Sequence, residues 1–199
     1  MKDKKAKRKE VLEAMMQQEI YDVAMQLLAT KPVDEITMEE VASLTGVSRP
    51  TLYNYFNGKD GLIEFTGLRI AEALISSLEE NLNTPVTPKE KLLNFITFFL
   101  KYFHNRGTVL AVLQSYKTQG SNSTKSKEIR TRIRQLFKEL LEEGVHSGDF
   151  NSSDYSLQMH LIFGCLSSII QISQFEATDY KPEDMAKKVF LLIQNGIGA

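Results

Sequence analysis

Residues 36–65, ITMEEVASLTGVSRPTLYNYFNGKDGLIEF, decide the fold. Their caps and apolar spacing predict two short helices around a tight turn, followed at once by the start of a third. Thr37 stands three residues before Glu40. That is the separation of a capping box, in which the hydroxyl accepts the Glu40 N–H and the carboxylate reaches back to the N–H of Thr37. A helix therefore starts near Met38, with Val41, Ala42 and Leu44 as its apolar side, and Gly46 supplies the left-handed residue that ends it. Ser48 opens the second helix as a hydroxyl N-cap, and Pro50 falls in a first turn where no intrahelical donor is lost. Leu52 and Phe56, one turn apart, point inward. Arg49, Pro50, Thr51, Tyr53, Asn54 and Tyr55 are left facing out. Asn57 is expected to cap the next helix, which puts Lys59 in its first turn.

That outward set suits duplex DNA. An arginine near a helix N-terminus can pair bidentately with O6 and N7 of a guanine, and the Thr51 methyl or the Pro50 ring can pack on a thymine methyl. Tyr53 and Tyr55 offer phenolic donors to phosphate oxygens, and Asn54 can serve backbone or base. A cation such as Lys59 in a first turn opposes the helix dipole, a conflict that a bound phosphate removes. Helix-turn-helix geometry also occurs in proteins that bind no DNA, so caps and turn alone leave both readings open.

The run TMEEVASLTGVSRPTLYNYFNGKDGLI resembles the DNA-binding domain of the TetR family of bacterial transcriptional regulators. The shared order is a valine-alanine helix, a glycine-valine turn, a TLY-x-x-F recognition helix and a lysine opening the next helix. The resemblance implies that Thr37, Tyr53, Tyr55 and Lys59 anchor phosphates and that Arg49, Pro50, Thr51 and Asn54 approach bases, with Ser48 at the head of the same surface. Two positions depart from the pattern. Ala29-Thr30-Lys31-Pro32 lacks the glycine common in that turn, where Pro32 can break the helix itself. Gly58 and Gly61 replace the more usual serine and helix former around Lys59, which leaves open how rigidly the fourth helix presents that lysine.

The chain has 199 residues, 42% hydrophobic and 25% charged, enough for one mid-sized domain or a small one fused to a larger one. Its net charge is −1, so there is no global basic signature of a nucleic-acid binder. Local charge must do the steering. Lys2, Lys4, Lys5, Lys7, Arg8 and Lys9 against Asp3 and Glu10 give residues 1–10 a net charge of +4. This basic start is either a solvated tail or an arm that neutralises DNA phosphates. The single cysteine, Cys165, excludes an internal disulfide and a cysteine-ligated zinc, and its apolar helical setting makes it a core residue. His104, His146 and His160 are far apart and suggest no metal site. No cofactor is implied. The basic start runs into Glu10 and Glu13 without an apolar stretch, so no signal peptide is expected. Residues 157–175 are interrupted by Gln158, His160, Ser167, Ser168, Gln171 and Ser173, which argues against a membrane span. A cytoplasmic protein is expected.

The rest reads as helix after helix, an all-α chain. Ile20, Ala24, Leu27 and Leu28 share one face and should complete a three-helix core with Val41, Val47, Leu52 and Phe56. The expected division is a DNA-binding domain over 1–58, with the basic arm at 1–10, and a helical effector-binding and dimerisation domain over 59–199. A fourth helix should run from about Lys59 to Asn81. Thr87 and Glu90 form a second capping box with Pro88 at the first helical position. It opens a helix apolar on two sides, with Leu92, Ile96, Phe99 and Phe103 on one and Phe95, Phe98 and Tyr102 on the other. A shorter helix is expected over Thr108 to Lys117, then a polar connection, then a charged-faced helix from about Lys125 to His146.

Residues 155–175 carry apolar side chains around most of the helix circumference, more than one core can cover, and a second subunit is the expected cover. Met185, Val189, Phe190 and Ile193 give the last helix a single stripe. In the TetR family the last two helices of each subunit form a four-helix dimer interface. That resemblance places Leu161, Leu166, Ile169, Ile170, Phe190 and Ile193 at a homodimer seam. The family also binds small molecules in its larger domain, and Phe95, Phe99, Tyr102, Phe103, Tyr116, Met159 and Phe163 are the candidate lining here, with plain core packing as the competing reading. Few acids fall on those faces, which disfavours a cationic effector.

The expected function is a repressor that binds a near-palindromic DNA operator as a dimer and is released by a small apolar or aromatic effector. The alternative is an effector-independent architectural or division-control protein that shares the same DNA-binding motifs. An enzyme would need a nucleophile, base or metal constellation, and the sequence offers none.

Overall fold

A computed structural model describes residues 2–104, 109, 124–151, 154–175 and 180–197. Tyr116 and, apart from Val109, the helix expected over Thr108 to Lys117 lie outside these residues. The described helices are α1 (Lys2–Thr30), α2 (Met38–Thr45), α3 (Arg49–Phe56), α4 (Lys59–Leu82), α5 (Pro88–Phe103), α6 (Thr124–His146), α7 (Tyr155–Phe175) and α8 (Pro182–Ile197), with a 3₁₀ turn at Val33–Glu35. The fold is all-α, and no strand occurs among the described residues. The chain forms two compact units, Met1–Gly67 and Leu68–Ala199, with the division inside α4.

The first unit is built on α1, whose Ile20, Ala24, Leu27 and Leu28 are buried together with Val41, Leu52 and Phe56. Leu62 and Ile63 from the start of α4 join them. Val47 is only half-buried. In α2 the inward residues are Met38, Val41 and Thr45, spaced by three and four, while Leu44 is 52% exposed. Leu44 was expected on the apolar side, but at 3.6 residues per turn it stands about a quarter of a turn from the middle of that stripe. The basic start is continuous with α1, which is helical from Lys2, and Lys7, Arg8 and Lys9 are exposed.

Half of the capping box expected at Thr37 is formed. The Thr37 hydroxyl accepts the N–H of Glu40 at 3.2 Å, but the Glu40 carboxylate is taken by the Lys31 ammonium instead of the backbone of Thr37. Gly46 closes α2 at φ 67°, in the left-handed region as its type predicts. Ser48 caps α3 by accepting the N–H of Thr51. Asn57 does not cap α4. It ends α3 at φ 54°, ψ 29°, with its N–H on the carbonyl of Tyr53 at 2.8 Å, because an asparagine tolerates the left-handed conformation that a helix exit needs.

Gly58 then turns the chain at φ 108°, and Gly61 lets the first turn of α4 close on the end of α3. A Cβ on Gly61 would lie 1.7 Å from the carbonyl oxygen of Phe56. The two glycines therefore make a tight corner here. Phe56 and Phe65 meet across it with tilted rings, 5.0 Å between centroids.

In the second unit the complete capping box is at Thr87 and Glu90, with Pro88 in the first turn as expected. It starts α5, which buries Leu92, Phe95, Ile96, Phe99, Leu100 and Phe103 and leaves Phe98 and Tyr102 half-buried. α8 lies along α5, and α6 and α7 both meet α5 and each other. Tyr155–Ser173 in α7 is long and apolar enough to cross a membrane. Within the fold it is a packing element, with Ile162, Leu166 and Ile170 buried on one side.

Candidate nucleic-acid interface and effector core

The α3 helix separates its side chains as its sequence dictates. Leu52 and Phe56 are buried, while Ser48, Arg49, Pro50, Asn54, Tyr53 and Tyr55 are exposed, the two tyrosines by 50% and 40%. Thr51 is half-buried, and its hydroxyl lies 2.7 Å from that of Ser48. Thr37, at the head of α2, is also exposed. The eight-residue helix thus presents one polar and aromatic surface whose donors are an arginine, two phenols and an amide.

Several of these groups have partners within the protein. Arg49 Nη1 is 2.9 Å from Glu39 Oε1 in the first turn of α2. Tyr55 donates its phenolic hydrogen to Glu13 Oε1 of α1 at 3.2 Å, and partial desolvation, then this carboxylate, push its pKa up from the ordinary phenol value. Lys59 is half-buried and its Nζ donates to the carbonyls of Val33 and Asp34, each at 3.2 Å. The ammonium in the first turn of α4 is thus offset by two backbone oxygens of the 3₁₀ turn, a local solution to the dipole conflict that the sequence reading assigned to a phosphate.

Of the candidate effector residues, Phe95, Phe99, Tyr102, Phe103 and Phe163 form a ring cluster. Phe95 meets Phe137 of α6 at 5.0 Å edge-on and Phe163 of α7 at 5.7 Å, and Phe99 meets Phe103 at 4.8 Å and Phe163 at 5.8 Å. Tyr102 lies 5.1 Å from Phe103 and 5.6 Å from Phe98, and Met159 is half-buried. Phe137, 5.1 Å from Phe163, completes the cluster and was missed in the sequence. Its signal was present in the pairs Leu136-Phe137 and Leu140-Leu141, four residues apart on an otherwise charged helix. Cys165 is half-buried, and burial raises the pKa of its thiol.

The α7 helix has two apolar faces. Ile162, Leu166 and Ile170 point into the unit, while Leu157, Leu161 and Ile172 are 55%, 57% and 49% exposed on roughly the opposite side. Leu166 and Ile170, expected at a subunit seam, therefore lie in the interior of a single chain. Ile169, Phe190 and Ile193 are half-buried. On α8 the inward residues are Ala186 and Val189, and the outward ones are Leu191 and Leu192, 55% and 73% exposed. These last two were missed because the stripe was assigned to Phe190 and Ile193 beside them.

Residues 20–64, which hold α2, α3 and the corner at Gly61, match the model of the bacterial regulatory proteins of the tetR family, and residues 85–171 match the tetracyclin repressor-like C-terminal domain. The chain belongs to the TetR family. It is thereby a member of a family of DNA-binding transcriptional regulators. It is 25% identical to the fatty acid metabolism regulator protein of Bacillus subtilis over 193 residues, covering 90% of this chain and 94% of that one. It is 28% identical to the nucleoid occlusion factor SlmA of Vibrio atlanticus over 141 residues, 69% of this chain and 64% of that protein. The fold is shared with the transcriptional regulator FadR from Bacillus subtilis, solved in complex with stearoyl-CoA, at a TM-score of 0.73 and 24% identity over 90% of this chain and 98% of that one.

Proposed function

We propose that this TetR-family protein is a cytoplasmic repressor, not an enzyme, that binds a near-palindromic operator as a homodimer and is released by an acyl-CoA effector. The observation that carries the DNA-binding part is the surface of α3, where Arg49, Pro50, Tyr53, Asn54 and Tyr55 are exposed over the buried Leu52 and Phe56. Arg49 and Asn54 supply the side-chain chemistry that reads base edges, and Thr37, Tyr53, Tyr55 and Lys59 supply phosphate donors. The outward residues of α7, Leu157, Leu161 and Ile172, and Leu191 and Leu192 of α8 support the dimer, since large apolar side chains left open to water suit cover by a partner. Two equal reading heads then require half-sites separated by about one helical turn or a multiple.

The named relatives favour an acyl chain on coenzyme A, and Phe95, Phe99, Phe103, Phe137 and Phe163 supply the apolar surface such a chain would meet, with closed core packing of the same rings as the competing reading. The mechanism is linkage: the effector loosens the DNA complex by as much as its affinity differs between the DNA-bound and released arrangements, typically about 1–3 kcal/mol. Similarity to a nucleoid occlusion factor favours, as the second reading, a DNA-binding protein without an effector. Titration of promoter-bearing duplexes in the presence and absence of palmitoyl-CoA or stearoyl-CoA separates the two. Release of DNA, with a raised melting temperature for the free protein, is the expected result. DNA binding that neither thioester changes would favour the second reading, and no preferred duplex at all would refute both.

A further inference from the structure

Glu39 lies in the first turn of α2 and Arg49 is the first residue of α3, and Glu39 Oε1 is 2.9 Å from Arg49 Nη1. Both side chains are about half exposed, at 46% and 60%. An ion pair this open to water adds little to stability. Its place beside the exposed face of α3 is therefore the feature to account for, because an acid there opposes the approach of phosphate. The neighbouring acid, Glu40, is engaged by Lys31, so the carboxylate facing the arginine is that of Glu39.

We propose that Glu39 is a specificity-determining residue that holds the Arg49 guanidinium for a guanine edge and denies it to phosphate. This rests on the DNA-binding function proposed above. A guanidinium has five N–H donors in a rigid fork, and the contact to Glu39 engages one of its nitrogens. Donors remain for a base. The O6 and N7 of guanine are neutral acceptors that can meet them while the carboxylate stays in place. A phosphate brings a negative charge to a site that already holds one, so it must displace Glu39 or stand against it. Phosphate contacts supply nearly all non-specific affinity, and weakening them selectively raises the ratio of specific to non-specific binding. Glu39 also orients Arg49 before DNA arrives, which reduces the rotamer freedom lost on docking.

The test is a set of anisotropy titrations of the full-length protein on its selected duplex and on a scrambled duplex of equal length. The proteins compared are wild type, Glu39→Gln, Glu39→Asp, Arg49→Ala and the double variant Glu39→Gln/Arg49→Ala. Glu39→Gln should tighten the scrambled complex by roughly two- to fivefold, the scale of one exposed ionic contact, without tightening the selected complex equally. The ratio of affinities then falls. Glu39→Asp should recover part of it, and in the Arg49→Ala background Glu39→Gln should no longer change it. Equal tightening of both duplexes, or the same change in ratio without Arg49, would overturn the proposal by reducing Glu39 to a general negative charge. If the wild type prefers no duplex, the DNA-reading function itself fails and this inference falls with it, an outcome distinct from a preference that Glu39→Gln leaves intact.

Discussion

Lys91 and Glu143 join α5 to α6 through an ion pair whose two ends differ in solvation. The Lys91 side chain is 6% exposed and its Nζ lies 2.7 Å and 2.8 Å from the two carboxylate oxygens, while the Glu143 side chain is 43% exposed. The same ammonium donates to the carbonyl of Leu82 at the last turn of α4, where a cation complements the helix dipole. Removing the acid strands a buried cation, whereas removing the lysine leaves a carboxylate that water can reach. Glu143→Ala should therefore destabilise more than Lys91→Met, the first by about 1–3 kcal/mol and the second by less. Urea denaturation of both variants checks the order, and a larger loss for Lys91→Met would show that the Leu82 contact outweighs the pair.

Gly61→Ala should be among the most damaging small substitutions in the first unit. Its Cβ would meet the Phe56 carbonyl at 1.7 Å, and the obstacle is backbone, which cannot rotate aside. The cost should reach or exceed the upper end of the about 1–3 kcal/mol typical of overpacking, read as a lower melting temperature and as DNA affinity lost with it. A melting temperature equal to wild type would mean that the corner can open without penalty.

Arg49→Ala and Lys59→Ala should fail differently. Loss of a base contact relaxes preference at one operator position by about 1–3 kcal/mol. Lys59 holds the carbonyls of Val33 and Asp34, so its loss should lower stability by about 1–2 kcal/mol and weaken all duplexes alike. Affinity profiles across single-base operator variants distinguish the two patterns.

Acid should erode stability in part through Glu90. The backbone N–H of Thr87, then its hydroxyl, hold the Glu90 carboxyl below its ordinary range, and Lys101 does the same for Glu183. A carboxyl with a depressed pKa in the folded state stabilises above its unfolded pKa and ceases to as pH falls through the folded one. Glu90→Gln should therefore be less stable than wild type at neutral pH, with a shallower loss of stability from the ordinary carboxylate range downward. Parallel pH profiles for the two proteins would remove the N-cap bond as the cause.

The sequence made the reading head legible because local rules govern it: Ser48 caps, Gly46 takes positive φ, and Leu52 and Phe56 face in over one turn. What it concealed depends on partners distant in the chain. Glu40 was assigned to the backbone of Thr37, but Lys31, nine residues earlier, provides a full charge that the amide cannot match. The carbonyls of Val33 and Asp34, which Lys59 also holds, come within its reach only when the chain has folded back. On α7, apolar residues on both sides gave no means of telling inner from outer, so Leu166 and Ile170 were placed outside. Glu39, an acid among acids in the sequence, acquires its proposed role in DNA reading only through its contact with Arg49.

If α3 reads DNA as one of two equal heads, selection from a random duplex pool by the full-length protein should reveal it. The expected result is enrichment of an inverted repeat whose half-sites lie about one helical turn or a multiple apart, bound by an even number of protomers, with the preference at one position in each half-site lost in Arg49→Ala. No enriched sequence, or a single unrepeated motif bound by one protomer, would contradict it.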